Sequence, residues 1–210
     1  MFNLVLKGGW LMWPIVLCSI FSLAIIIDKF LYFVKAKVNS EDLFSSILSL
    51  IKRANFKEAI ELCEEKQTPL TNTLKVALLN YDQPKELIKE SVEEVSLYEI
   101  PKLEKNLNFL ATIAHISPLL GLLGTVTGMI RCFYIIQEKT AAYGSVNPAD
   151  LAGGIWEALL TTAFGLAVAI PSYIAYNYFV SRVNFSVLEM EKTATELVSV
   201  LTERKDSYEV

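Results

Sequence analysis

Three long apolar runs without Asp, Glu, Lys or Arg dominate the hydropathy pattern of the chain. Residues 8–27 form a run of 20, residues 106–130 a run of 25 and residues 158–181 a run of 24. A helix needs about 20 such residues to cross the core of a bilayer, and these runs are too long for the strands of a membrane barrel. The pattern therefore predicts an all-α membrane protein with three transmembrane helices.

The charged stretches between these runs divide the chain into six segments. The first, residues 1–33, is an N-terminal segment with the first transmembrane helix, which we expect to be retained rather than cleaved as a signal peptide. The others are a helical region at 34–105, the second transmembrane helix at 106–131, a short loop at 132–156, the third transmembrane helix at 157–181 and a C-terminal helix at 182–210.

Lys and Arg are unevenly distributed between these segments. Lys and Arg recur through residues 34–105 and 182–210, whereas residues 132–156 contain only Lys139. Because loops rich in Lys and Arg remain in the cytoplasm, we expect residues 34–105 and the C-terminus to be cytoplasmic. The N-terminus and residues 132–156 would then lie outside. The transmembrane helices are expected to continue as long helices into a helical cytoplasmic domain.

Two patterns describe this cytoplasmic domain in more detail. A helix beginning near Pro84 is expected to continue unbroken into the second transmembrane helix, with a kink near Pro101. Apolar residues in the C-terminal segment repeat at heptad spacing, which predicts a helix that packs along one seam. The partner of this seam is either the cytoplasmic region or a second copy of the chain. The seam consists of Val183, Val187, Met190, Ala194, Leu197 and Leu201.

Composition excludes several functional classes. The chain is 53% hydrophobic and has a net charge of −4, so it lacks the basic surface of a nucleic-acid-binding protein. Its three cysteines, Cys18, Cys63 and Cys132, suggest no disulfide framework and are interpreted as unpaired thiols. No arrangement typical of a nucleophile, a metal site or a phosphate site is present. We therefore expect neither an enzyme nor a cofactor or metal requirement.

Small residues line one face of both the second and the third transmembrane helix. Such faces allow helices to approach closely, and they also suit a narrow polar passage. We expect them to pack the pore helices and to face a central lumen. The residues assigned to this packing are Gly121, Gly124, Gly128, Ala158, Gly165 and Ala169.

Two threonines lie on these small faces in the outer half of the membrane. At a rise of 1.5 Å per residue, Thr125 lies about 10 Å and Thr162 about 11 Å from the centre of its helix. Each hydroxyl could simply bond to its own helix backbone. Because both threonines lie at a similar depth on adjacent antiparallel helices, we favour a hydroxyl ring that lines a narrow passage.

The titratable groups lie mostly at the ends of the spans. Glu157 is expected in the first turn of the third helix, where the helix dipole favours a carboxylate, and it is also a candidate for the pore entrance. His115 is the one titratable side chain deep in a span. It is interpreted as a packing residue, with a proton relay as the alternative.

Three sequence runs resemble the MotA/TolQ/ExbB proton-channel family. They are LATIAHISPL (110–119), GLLGTVTGMI (121–130) and EALLTTAFGLAVAIPSYIAYN (157–177). The resemblance is strongest across residues 107–182. The chain length, the three spans and the stretch AIELCEEKQTPL (59–70) fit the ExbB/TolQ branch, whereas the four-span stator branch fits poorly.

This resemblance implies a function in energy transduction at the bacterial inner membrane. It implies a homopentamer in the lipid bilayer around an ExbD- or TolR-like single-span partner, whose transmembrane Asp carries protons. The proton-motive force would then drive work on the outer membrane through a TonB- or TolA-like protein. Residues 132–156 would be periplasmic. Thr125 and Thr162 match the pore threonines of the family and Glu157 its acidic position, whereas His115 stands where the family has a small uncharged residue.

Three alternatives remain open at this stage. Within the family, a TolQ-like role in envelope maintenance would replace an ExbB-like role in TonB-dependent transport. Outside it, the chain could be a non-conducting membrane scaffold whose small faces only pack a partner helix. A secondary transporter is a third alternative, although three spans without an internal repeat do not supply its usual paired halves.

Overall fold

A computed structural model describes residues 8–36, 40–143 and 148–206 of the chain. The regular elements within these ranges are all helices, which confirms the predicted all-α fold class. They are α1 (Met12–Ala36), α2 (Ser40–Lys52), α3 (Phe56–Glu65), α4 (Pro69–Leu79), α5 (Lys85–Glu104), α6 (Leu107–Tyr143) and α7 (Pro148–Asp206).

Three helical stretches are long and apolar enough to cross a membrane. They belong to α1, α6 and α7, which confirms the predicted number of transmembrane helices. The segment at 132–156, predicted as a short loop, is helical up to Tyr143 and again from Pro148. Residues 144–147 lie outside the described residues. The predicted location of this segment relative to the membrane stays a prediction.

The contacts divide the chain into two compact units, of which the first comprises Met1–Lys29 and Asn106–Tyr178. Within this unit α1 contacts both other helices. The ring of Phe21 packs edge-on against Phe109 of α6, with ring centroids 6.1 Å apart. Ser22 and Ser172 of α7 share a buried hydrogen bond of 2.6 Å. In a membrane, where apolar contact alone gives little preference for a partner, such bonds help to specify the neighbouring helix.

Helices α6 and α7 pack so closely in the first unit that a Cβ atom added at Gly121, Gly128 or Gly165 would displace neighbouring atoms. A Cβ atom at Gly121 would lie 2.9 Å from Cα of Thr162, and one at Gly165 would lie 2.6 Å from the Ser117 carbonyl oxygen. A Cβ at Gly128 would lie 2.9 Å from Cβ of Ala158. Ordinary contacts lie at 3.4–4 Å, so the two backbones approach as closely as glycine allows.

The small faces therefore face each other within one chain. A Cβ at Gly124 would collide with the Thr161 hydroxyl, and Ala158 and Ala169 are buried. As residue numbers rise along α6, the partners on α7 fall from Gly165 to Ala158, so the helices are antiparallel. This contact is the close packing expected of the small faces, whereas a central lumen faced by them stays a prediction.

The second unit comprises Phe30–Lys105 and Phe179–Val210. Its short helices pack in chain order, α2 on α3, α3 on α4 and α4 on α5. Thr68 begins α4 with a capping box, in which its hydroxyl accepts from the backbone N–H of Thr71 and Pro69 occupies the first helical position. The core contains the buried side chains of Ile47, Ile51, Leu74, Leu78, Ile88, Leu103 and Leu197.

The predicted heptad seam on α7 lies in this core. Val183, Met190, Ala194, Leu197 and Leu201 are buried, and Val187 is partly buried. Phe179, one turn before Val183, stacks on Phe33 of α1 with ring centroids 5.9 Å apart. Of the two partners considered for this seam, its own chain is the one that buries it.

One buried carboxylate of the second unit has two hydrogen-bond donors. Glu99 is buried and accepts hydrogen bonds from Nδ2 of Asn72 at 3.1 Å and from Nζ of Lys102 at 2.7 Å. These donors offset the cost of removing a carboxylate from water. The three cysteines are free thiols, as predicted, and burial raises the pKa of Cys63 to about 11.

The prediction of one unbroken helix from Pro84 into the second span is wrong. Pro101 lies inside α5 and the helix continues past it to Glu104. The break comes at Asn106, which adopts a positive φ of 66°. Asn tolerates this left-handed conformation better than most residues, and it commonly ends helices. The carbonyl of Asn106 then accepts from the N–H of Leu110 and begins α6.

We predict that the buried seam contributes strongly to stability. Leu197→Ala should destabilise the protein by about 2–5 kcal/mol, because it opens a cavity in the core. Leu188→Ala on the same helix is the matched control, since Leu188 is 64% exposed. Thermal unfolding of the purified protein in detergent measures both. Equal melting temperatures for the two variants would contradict the assignment of the seam to the core.

We also predict a position-dependent response to added methyl groups on the helices of the first unit. Gly165→Ala should lower the thermal stability of the detergent-solubilised protein, because its Cβ would press on the Ser117 carbonyl. Gly153→Ala on the same helix meets no atom within 4 Å and should be neutral or mildly stabilising, since Ala favours helix over Gly. A stability loss shared by both variants would argue against close packing at Gly165.

Candidate functional site

The candidate site lies along the contact between α6 and α7, where hydroxyl groups accompany the glycines. Thr162 donates a hydrogen bond of 2.9 Å from its hydroxyl to the carbonyl of Gly121. This bond crosses from one helix to the other and becomes possible because glycine leaves the α6 backbone accessible. One of the two alternatives from the sequence was that the Thr162 hydroxyl bonds to its own helix. The structure instead shows it bonded to the neighbouring helix.

Thr125 behaves differently from Thr162. Its hydroxyl donates to the carbonyl of Leu122 on its own helix, at 2.6 Å. Gly121 faces Thr162, and Thr125 lies one turn further along α6, about 6 Å away along the axis. The two threonines thus lie on neighbouring turns of the helix pair rather than at one level. Both are partly buried in the single chain.

Thr161 is a hydroxyl that sequence reasoning did not select. It is buried, donates to the Ala158 carbonyl at 2.8 Å and fills the space beside Gly124. Its polar group is satisfied by its own helix, and its methyl and hydroxyl occupy the gap left by the glycine. Its role in this structure is to fill the helix contact beside Thr162.

Glu157 lies near one end of this helix contact. Its Oε2 lies 3.2 Å from a guanidinium nitrogen of Arg131 on α6, which donates a hydrogen bond to it. The prediction that Glu157 stands in the first turn of its helix is wrong, because α7 already begins at Pro148. The helix dipole acts within the first turn, so the Arg131 charge rather than the dipole accompanies this carboxylate.

The partnership of Arg131 and Glu157 was not predicted. Both residues flank uncharged runs at the same end of two adjacent antiparallel helices, and this is the sequence signal from which it could have been inferred. An open groove of about 640 Å³ lies beside the pair. It is lined by Arg131, Ile135, Ala152, Gly153, Gly154, Trp156 and Glu157.

His115 lies on an exposed part of the α6 surface. Its Nδ1 lies 2.7 Å from the Ala111 carbonyl oxygen, so Nδ1 must carry the proton of this hydrogen bond. Its ring packs edge-on against Tyr173 of α7, with ring centroids 6.1 Å apart. These contacts are those of a packing residue. The relay alternative has no supporting contact to Thr125, Thr162 or Glu157 among the described residues.

Metal chemistry has no support in the described part of the chain. Within residues 8–36, 40–143 and 148–206, no group of three or more His, Cys, Asp or Glu side chains could hold a metal ion. The arrangement instead combines hydroxyl groups along a helix pair with one carboxylate at its end. Hydroxyls and carboxylates of this kind can bind and orient water or a protonated group.

Comparisons with known proteins identify relatives of this chain. The biopolymer transport protein ExbB of Aquifex aeolicus is 47% identical over 90 residues, which cover 43% of this chain and 58% of that protein. The Tol-Pal system protein TolQ of Haemophilus influenzae is 42% identical over 110 residues, covering 50% of this chain and 46% of that protein. The chain thus spans about half the length of these two relatives.

A third relative matches over nearly its full length. An ExbB-like biopolymer transport protein of Synechocystis is 30% identical over 198 residues, which cover 92% of both proteins. Together with three helices able to span a membrane, these relatives make the chain a multi-pass inner-membrane protein. They also agree with the prediction that it is not an enzyme.

The family match itself covers residues 61–192, which include the glycine contact of α6 and α7, Thr125, Thr162 and Glu157. The chain therefore belongs to the MotA/TolQ/ExbB proton channel family, in its ExbB/TolQ branch.

Proposed function

We propose that the chain is the proton-channel subunit of an ExbB/TolQ-type inner-membrane motor. In this proposal it couples the proton-motive force to work on the outer membrane through a TonB- or TolA-like protein. The observation that carries the proposal is the hydrogen bond from Thr162 to the Gly121 carbonyl, with Thr125 on the next turn and Glu157 towards the outer end. The names of the relatives, biopolymer transport and Tol-Pal, support the same class of function.

The threonine hydroxyls are suited to accept hydrogen bonds from a proton carrier rather than to carry protons themselves. Thr162 and Thr125 both spend their donor on a carbonyl, which leaves the lone pairs of each hydroxyl oxygen as acceptors. Such an oxygen can accept a hydrogen bond from water or from a protonated carboxyl group. The two hydroxyls then orient the proton donor along the passage, and Glu157 attracts protons at its entrance.

The carboxylate that carries the proton comes from a partner in this proposal. Asp, Glu, Lys and Arg are absent from residues 106–130 and 158–181, so the second and third spans of this chain contain no acidic relay of their own. An ionisable group is needed for a proton to cross the apolar core. An ExbD- or TolR-like single-span protein would supply a transmembrane Asp, within a homopentamer of this chain.

Two alternatives have support and are distinguished by experiment. A TolQ-like role in envelope maintenance is supported by the Haemophilus relative, and the identity of the co-purifying partner decides between TolQ-like and ExbB-like roles. A non-conducting scaffold is supported by the close glycine contact of α6 and α7, which is sufficient to explain the small faces as packing alone.

The proposal includes an orientation, with residues 34–105 cytoplasmic and the outer end of α6 in the periplasm. We predict that a cysteine at Thr140 reacts with a membrane-impermeant thiol reagent in cells with a permeabilised outer membrane, and that one at Ser46 does not. Both positions are exposed on their helices, so access rather than burial decides the result. The background lacks Cys18, Cys63 and Cys132. Labelling at Ser46 but not Thr140 would reverse the orientation.

We predict that the pore threonines are needed for proton flux but not for assembly. Thr162→Val and Thr125→Val keep the side-chain shape, and removal of a hydroxyl hydrogen bond costs only about 1 kcal/mol. The complex with its partner should form, and proton flux into reconstituted vesicles should fall about tenfold, because one hydrogen bond that orients the proton donor, worth about 1.4 kcal/mol, corresponds to a factor of ten in rate.

Thr127→Val is the matched control for this experiment. Thr127 lies two residues from Thr125, is partly buried, and donates its hydroxyl to the Leu123 carbonyl of its own helix at 3.0 Å. The Thr127→Val variant should retain a proton flux close to that of the unmodified protein. Normal flux in the Thr125→Val, Thr162→Val double variant would contradict the assignment of these threonines to the proton pathway. Absence of flux in the unmodified complex would favour the scaffold.

A further inference from the structure

Glu157 is held from two sides at the outer end of the α6–α7 contact. On one side Arg131 of α6 lies 3.2 Å from its Oε2. On the other side the carboxylate reaches the backbone at Gly9, because a Cβ at that position would collide with Oε1 of Glu157. Gly9 has a φ of 71°, a conformation that residues with a side chain rarely adopt. The carboxylate is thus confined by a guanidinium and a glycine backbone.

The pair is accessible at the surface of the single chain. The side chain of Arg131 is 67% exposed and that of Glu157 is 22% exposed. The groove beside them is open, and at Gly153 a Cβ would meet no atom within 4 Å. A carboxylate facing such a space would be an attractive ligand for hydrated metal cations, which prefer carboxylate oxygens and retain several waters.

The charges around the groove balance each other. Of the residues that line it, Arg131 and Glu157 are the charged ones, with one positive and one negative charge. The guanidinium therefore lies where a metal cation would otherwise bind, and it supplies the positive charge that the cation would bring. A proton differs from a metal cation because it binds one oxygen directly and needs no coordination shell.

We propose that Arg131 is a specificity-determining residue that keeps metal cations off Glu157 and so reserves the entrance of the passage for protons. This inference rests on the proposed function. Arg131 acts through Glu157, by holding its Oε2, and does not itself exchange protons. Its removal leaves a single uncompensated carboxylate beside the open groove.

The test measures proton flux across the membrane of vesicles that contain the purified complex with its partner. The pH is held constant, and the flux is compared with and without about 10 mM CaCl2 in the outer solution. A lone carboxylate binds Ca²⁺ more weakly than the 10⁻⁴–10⁻³ M sites of extracellular proteins, so half-inhibition near about 10 mM is expected. Flux through Arg131→Gln should fall by about half in Ca²⁺. Choline chloride of equal ionic strength serves as the control, because it screens charges without binding a carboxylate.

Two further variants separate this role from a structural one. Arg131→Lys keeps the positive charge and should be as insensitive to Ca²⁺ as the unmodified complex. The Arg131→Gln, Glu157→Gln double variant removes the cation ligand and should lose the Ca²⁺ sensitivity of the single variant. A purely structural role of Arg131 would change complex yield or flux in all conditions alike, without a response to Ca²⁺.

Two results would overturn the inference. One is an Arg131→Gln complex that conducts protons and is no more sensitive to Ca²⁺ than the unmodified one. The other is Ca²⁺ sensitivity that persists in the double variant, which would place the cation elsewhere. Failure of the proposed function gives a different result, since the unmodified complex would then conduct no protons under any condition.

Discussion

The close approach of α6 and α7 is the constraint on which the first unit, which contains the membrane-spanning helices, depends. Lipid tails are as apolar as leucine, so the hydrophobic effect gives helices in a bilayer little reason to prefer each other over lipid. Packing and hydrogen bonds between the helices must supply that preference. With no side chains at Gly121 and Gly165, the backbones come into contact, and the carbonyl of Gly121 becomes available to the Thr162 hydroxyl. A side chain at Gly121 would remove the contact and the hydrogen bond together.

The same constraint explains how this unit contains polar groups at low cost. Ser117, Thr125, Thr161 and Ser172 each donate their hydroxyl to a carbonyl three or four residues earlier. Their donors are therefore satisfied without water, as a low-dielectric environment requires. Their oxygens remain acceptors. A helix pair can in this way be stable in lipid and still present acceptor groups along its length, which is what the proposed passage needs.

The second unit follows the physics of a water-soluble domain. Its core is built from the apolar residues of α2, α4 and α5 together with the heptad seam of α7, and its buried carboxylate, Glu99, has two donors. Hydrophobic burial stabilises this unit in the usual way. One amino-acid chain thus combines glycine-based packing in one unit with leucine and isoleucine packing in the other.

The sequence by itself determined the number of spanning helices, the small faces and the family, because each of these is a local property. The bilayer requires a long uncharged run for every span, and a small face is visible in the 3.6-residue period of a single helix. Only the tertiary structure decided which residues meet. It shows that Thr162 donates a hydrogen bond to Gly121 and that Thr125 lies one turn away. It also shows that Arg131 and Gly9 enclose Glu157. These contacts depend on the register between helices distant in sequence, and that register is set by how closely the glycines let the backbones approach. The sequence also did not predict that Glu157 is the tenth residue of α7, because hydropathy marks where a membrane span ends and not where its helix begins.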